Sequence, residues 1–188
     1  MKICKFFRIL TLPQLMAFAL MTILYFADNS YFRSLTHYVL GIMFLTVLPL
    51  LAYPIAWIIK KKADRRSTER TTAIILSILG YIAGAVMAFF FNGTDTEKIM
   101  FLTYLLSVIL TALLSFAFKF KSSGHACGIA GPIAMLTYKL SPLCLIGCAV
   151  LAIVYVCSLK LKRHTLLQLI AGTFVPVLSL IISIAVVI

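Results

Sequence analysis

The chain has 188 residues, of which 63% are hydrophobic, with a mean hydropathy of +1.10 and a formal net charge of +12. A soluble domain of this size cannot hide that much apolar surface. No period-2 alternation marks barrel strands, so helices are the remaining way to cross a bilayer with every backbone group satisfied. The cations stand beside hydrophobic runs, which assigns them to topology and anionic lipid headgroups rather than to nucleic acid.

Apolar runs are predicted as spans at about 7–27, 38–59, 72–92, 99–118, 125–138, 142–158 and 165–188, most of them near the roughly 20 residues that cross 30 Å of hydrocarbon. Lys2, Lys5 and Arg8 precede the first run. No small-x-small cleavage site follows, so the run is expected to be a retained first helix and not a signal peptide. Cys4 and the residues around it carry no lipidation signal. Gly80-x-x-x-Gly84, and Gly124-x-x-x-Gly128 opening the fifth run, suit close helix approach. The fifth run is short and holds Gly128, Gly131 and Pro132, which predicts a tilted or broken helix packed inside the bundle. The expected fold class is therefore all-α: a polytopic transmembrane bundle of six to seven spans, with residues 1–188 forming a single integral membrane domain.

The cysteines add no chemistry of their own. Cys144 and Cys148 share a helix face, but no His or carboxylate completes a metal ligand set, so packing is the expected role. An odd count of five (Cys4, Cys127, Cys144, Cys148 and Cys157) gives no disulfide framework.

If the spans alternate in direction, residues 1–8, 60–71, 119–124 and 159–164 share one side. They hold 14 of the 17 Lys and Arg residues, leaving Arg33, Lys98 and Lys139 opposite. The positive-inside rule then places these loops and the N-terminus in the cytoplasm.

Two of the three histidines fall on that side. In Lys121-Ser122-Ser123-Gly124-His125, Ser123 and Gly124 offer backbone N–H groups and a hydroxyl at a helix start, where an anion is favoured. Lys121 adds charge, and His125 titrates near working pH, as a proton donor must. In Lys160-Leu161-Lys162-Arg163-His164, the histidine opens the last span with Gln168 four residues on, on the same helical face. That amide is placed to fix the imidazole tautomer and free the other nitrogen for attack on phosphorus. Lys60, Lys61 and Lys62 form a basic cluster suited to anionic headgroups, while Arg70, beside Glu69, is placed to clamp a phosphate in bidentate fashion.

Ser123-Gly124-His125, followed by Arg163-His164-Thr165 with Gln168, Ala171 and Gly172, resembles the motifs of the type 2 phosphatidic acid phosphatase superfamily, and in particular a small-membrane-protein branch of it. Glu69-Arg70 before the third span resembles the first motif of that branch, and the similarity covers roughly residues 60–180. In that family the second-motif histidine protonates the leaving group, the third-motif histidine becomes a phosphohistidine, and cations hold the phosphate. The resemblance thus implies His125 as acid, His164 as nucleophile and Gln168 as its orienting partner. Arg70, Lys121, Ser123 and Gly124 are implied as the phosphate cradle, with Lys160 or Arg163 standing in for a missing third-motif arginine. It implies a lipid phosphate or diphosphate substrate, no metal or other cofactor, and a bacterial inner membrane location. The chain departs from the family pattern at Ser122 in place of Pro, Ala63 in place of Lys, Thr72 in place of Pro, Ser158 in place of Arg and Gln168 in place of Asp. Ser158 and Gln168 favour the alternative of a non-catalytic relative that binds anionic lipid headgroups or scaffolds membrane partners. A small transporter is a third reading, disfavoured by the scarcity of ionisable residues within the spans.

Overall fold

Proline 13 decides how the chain enters the bundle. Proline has no N–H to donate and blocks a helix running through it, yet its fixed φ suits the first position of a new one. The computed structural model describes residues 2–59 and 65–188. It divides the expected first span, 7–27, into α1 (Lys2–Leu10) and α2 (Pro13–Ala27). The hydroxyl of Thr11 caps the break by donating to the Phe7 carbonyl at 2.7 Å. Helix α1 leaves Ile3, Phe6, Ile9 and Leu10 exposed, and these residues give it an apolar face.

The remaining helices are α3 (Leu35–Ile58), α4 (Arg65–Phe90), α5 (Asp95–Phe116), α6 (Gly124–Lys139), α7 (Pro142–Lys160) and α8 (Leu166–Val187). Helix α1 packs on α7. Local chemistry sets several of the boundaries. Ser34 caps α3 by accepting from the His37 N–H, and Thr94 with Glu97 forms a reciprocal capping box at the start of α5. Helix α3 widens into a π turn at Met43–Val47 just before Pro49, the kind of local adjustment that lets a helix continue past a residue with no N–H.

No strand occurs among the described residues. Five helices, Leu35–Ile58, Thr68–Phe90, Asp95–Phe116, Pro142–Lys160 and Leu166–Val187, are long and apolar enough to cross a membrane. Large apolar side chains such as Trp57, Phe90, Ile146 and Phe174 point outward. This pattern is compatible with an integral membrane protein. Helix α6 is not broken: it runs continuously through Pro132 over 16 residues, with Gly128 against Pro13 and Gly131 beside Pro176. Lys60, Lys61 and Lys62 of the expected headgroup cluster, and Ala63, lie outside the described residues.

Long-range hydrogen bonds define two poles. At one, the Tyr31 hydroxyl donates to the Lys139 carbonyl, Arg33 donates to the Asn92 carbonyl, and Thr94 donates to the Tyr31 carbonyl. The third histidine, His37, is committed there: its Nδ1 lies 3.1 Å from Oε1 of the fully buried Glu97. This half is densely packed around Leu20, Leu24, Leu45, Phe101 and Met135, with Tyr25 stacked on Tyr38 at 4.2 Å. Arg8, Arg70, His125 and His164 gather at the other pole, and that half of the bundle is hollow.

Candidate functional site

The turn that carries His125 is shaped by backbone hydrogen bonds. Helix α5 ends with Lys119 in the left-handed region (φ 52), and the Phe120 N–H reaches back to the Leu114 carbonyl at 2.8 Å, a helix-terminating geometry that satisfies an orphan carbonyl. Ser123 then caps α6: its hydroxyl oxygen accepts from the Ala126 N–H, while its own N–H donates to the Gln168 carbonyl at 3.0 Å. That last bond joins the two histidine segments directly. It also commits the Ser123 N–H, which the sequence offered as an anion donor, to the neighbouring helix. Gly172 makes this approach possible, since a Cβ there would stand 2.5 Å from the Ser123 carbonyl oxygen.

His164 is placed by a similar turn. Lys162 is left-handed (φ 50), and the Arg163 N–H donates to the Ser158 carbonyl at 3.0 Å, folding Arg163 and His164 back over the end of α7. Thr165 caps α8 in a capping box with Gln168. The Gln168 Oε1 accepts from the Thr165 N–H at 3.2 Å and from His164 Nδ1 at 3.1 Å. A carbonyl oxygen only accepts, so Nδ1 carries the hydrogen and Nε2 holds the lone pair. Burial pushes the His164 pKa below its ordinary value, and the charges of Arg8 and Arg70 lower it further. Gln168 and the Lys121 carbonyl oppose that shift.

A third component comes from the other end of the sequence. Arg8 donates through Nη1 to the Ser158 hydroxyl at 2.7 Å, and its Nη2 lies 3.4 Å from His125 Nδ1. The Arg8 carbonyl accepts from His125 Nε2 at 3.1 Å. Residue 8 therefore holds the ring at both nitrogens, with hydrogen on Nε2 and the Nδ1 lone pair facing a cation. Burial, and after it the nearby Arg163 charge, lower the Arg8 pKa. The group remains a cation near neutrality because arginine ordinarily titrates above about 12.

These groups open on one cavity of about 680 Å³, within the size range of small-molecule sites. Arg8, Arg70, Arg163, His125, His164 and Gly124 line it. Arg70 is steadied by the Ser115 hydroxyl, to which its Nη2 donates at 2.8 Å. Glu69 is the one carboxylate among the lining residues, so the mouth is net positive and suited to an anion. Ser123 and Gln168 stand behind the histidines and position them. Lys121 and Lys160 are exposed and do not line the cavity. Among the described residues no three His, Cys, Asp or Glu side chains gather as metal ligands. Comparison with protein-family models, curated proteins and solved structures finds no match.

Sequence reasoning missed Arg8 as a site residue. Pro13 was the signal, since a helix restarting there leaves residues 2–10 free to fold onto the pole. It also missed that Thr165-x-x-Gln168 is a capping box, which gives Gln168 a structural duty alongside its contact with His164.

Proposed function

We propose that this chain is an integral membrane phosphatase of six to seven spans that hydrolyses a lipid phosphate or diphosphate through a phosphohistidine. Candidate substrates are phosphatidic acid, phosphatidylglycerophosphate and a polyprenyl diphosphate. The observation that carries this reading is the convergence of two histidines and three arginines on one cavity at one pole. By the positive-inside rule that pole faces the cytoplasm of a bacterial inner membrane, where its outer cations also meet anionic lipids.

Arg8, Arg70 and Arg163 hold the phosphate oxygens with charge-assisted hydrogen bonds. His164 Nε2, its lone pair exposed because Nδ1–H is held by Gln168, attacks phosphorus. The Nε2–P bond forms as the bond from phosphorus to the ester oxygen breaks, and the leaving oxygen takes a proton from His125. Burial and the facing Arg8 guanidinium favour neutral His125 in the empty site, so this step requires the bound dianion to draw Arg8 onto its own oxygens and let Nδ1 take up a proton, which the negative charge of the phosphate favours. Water then attacks the phosphoryl group, the N–P bond breaks, and the proton released by water returns to His125. The resemblance expects an arginine where this chain has Ser158; Arg8, hydrogen-bonded to that serine, supplies a guanidinium at the same place. Gln168 orients His164 as a carboxylate would, with less stabilisation of positive charge.

Phosphate release from the three lipid classes by detergent-purified protein, beside His164→Ala, tests the reading. Release by wild type and none by the variant supports it. A folded wild type that binds these lipids and releases no phosphate from any of them refutes turnover and leaves the headgroup-binding alternative.

A further inference from the structure

Helix α1 has two faces with different tasks. It is nine residues long and rises about 13 Å, well short of the roughly 30 Å of hydrocarbon that a span crosses. Ile3, Phe6, Ile9 and Leu10 fall within one arc of about 120° around the helix, and they are between 52% and 72% exposed. Arg8 lies on the opposite side, where it meets Ser158 and His125. Ser158 stands two residues before the end of α7, so α1 lies at the rim of the bundle, on the pole where the cations gather.

Length, charge and continuity together identify what covers the apolar face. The face continues the outward surface of the bundle, because α1 packs on α7 and α7 leaves Val156 and Leu159 exposed in its last turns. The sequence of α1 holds Lys2, Lys5 and Arg8 and no carboxylate, which suits an anionic surface. A basic, strongly amphipathic helix with Phe and Leu on its apolar side lies in the plane of a bilayer interface. The site gives such an anchor a purpose. Arg8 enters a mouth that already holds Arg163, whose charge opposes it, and taking a cation out of water is a further cost. Burial of the opposite face in lipid adds a stabilising term that acts on the same short helix.

We propose that α1 is an interfacial helix: Ile3, Phe6, Ile9 and Leu10 seat it in the surface of an anionic bilayer, and this seating holds Arg8 in the phosphate mouth. Anion capture is thereby coupled to the lipid surface. The seating rests on the membrane reading of the bundle, and the coupling on the phosphate reading of the mouth.

Two measurements on the full chain in nanodiscs of phosphatidylglycerol and phosphatidylcholine test these halves separately. Phe6→Trp, made together with Trp57→Phe because Trp57 is the chain's one tryptophan, reports depth through quenching by lipids brominated along the acyl chain. Quenching should be strongest from the bromine nearest the headgroup, and stronger with phosphatidylglycerol present than in phosphatidylcholine alone. A water-exposed indole that no brominated lipid quenches overturns the seating. So does an indole shielded only in discs that hold two chains, which assigns the face to a second copy. The triple variant Ile3→Ser/Phe6→Ser/Leu10→Ser tests the coupling. These side chains are exposed, so helical content should be unchanged. Affinity for inorganic phosphate should fall about tenfold or more, as for loss of a hydrogen bond to a charged group. Wild type and variant share the same discs, so the surface potential cancels. Equal phosphate affinity with the indole seated overturns the coupling. A wild type that binds no phosphate overturns the coupling and the phosphate reading together, while the depth measurement still decides the seating.

Discussion

Gly172→Ala tests whether the site depends on the contact between the two histidine segments. The new Cβ would lie 2.5 Å from the Ser123 carbonyl oxygen, 3.1 Å from the Ser123 nitrogen and 3.2 Å from the Ala126 Cβ. Restoring ordinary contact requires α8 and the Ser123 turn to part by roughly 0.5–1 Å. The neighbour is backbone, so no side chain can swing aside. The hydrogen bond from the Ser123 N–H to the Gln168 carbonyl, now 3.0 Å, spans the same gap and would stretch out of useful range. Overpacking of this kind costs about 1–3 kcal/mol, which lowers the thermal midpoint of a chain this size by roughly 2–4 °C per kcal/mol. Catalytic geometry is more sensitive: a displacement near 1 Å costs on the order of 100-fold in rate, because His125 follows the turn and His164 stays with α8. Thermal unfolding in detergent measures the first effect, and phosphate release or phosphate affinity the second. A variant that melts with wild-type protein and binds phosphate equally well would refute the close contact and with it the joined site.

Arg8→Ala should weaken inorganic phosphate binding by about 10- to 150-fold, equivalent to the roughly 1.5–3 kcal/mol of a hydrogen bond to a charged group. Arg8→Lys should recover only part of this, because an ammonium lacks the planar fork; calorimetry reporting unchanged affinity for Arg8→Ala would remove residue 8 from the site. Gln168→Glu keeps the reach and the capping box while adding a charge beside His164, so it should raise the His164 pKa, read by histidine NMR titration. A downward shift or none would show that Gln168 does not contact the ring. In the proposed mechanism His164 attacks as a neutral base while His125 must be protonated, so the pH–rate profile should be bell-shaped, with its acid limb below the ordinary 6.5 because burial lowers the His164 pKa. His164 binds fewer protons folded than unfolded in that acid window, so stability also declines with acidification; an acid-limb midpoint above 6.5 would contradict the burial described for the ring. Gly84→Ala would drive a Cβ into the ring of Phe101, which is 1% exposed, and should cost about 1–3 kcal/mol in unfolding measurements while leaving phosphate affinity within about twofold.

Much of the architecture was legible because the bilayer constrains so few variables. Hydropathy and run length indicated helices and no strands, and alternation of spans grouped residues 119–124 with 159–164, so that His125, opening the next span, and His164 fall at one end of the bundle, where they share a cavity. Side-chain direction was not legible. Lys121 and Lys160 carry charge at plausible positions yet point to solvent, because spacing along a turn does not fix a rotamer. Arg8 was hidden by distance: its partners are 117 and 150 residues away, and the apolar run 7–27 masked the break that turns α1 over the pole. Helix α6 was expected to be tilted or broken around Gly128, Gly131 and Pro132, but it runs on through Pro132 without a break.

The hydrogen bond from Arg8 to Ser158 spans 150 residues, so residue 8 is synthesised long before the helix that holds its partner. During elongation its guanidinium has to be held by water or lipid headgroups until α7 has been made, and His164 follows later still. The cluster of cations and imidazoles is thus complete only once α8 has docked against the turn at Ser123, which makes its assembly a late event in the folding of this bundle.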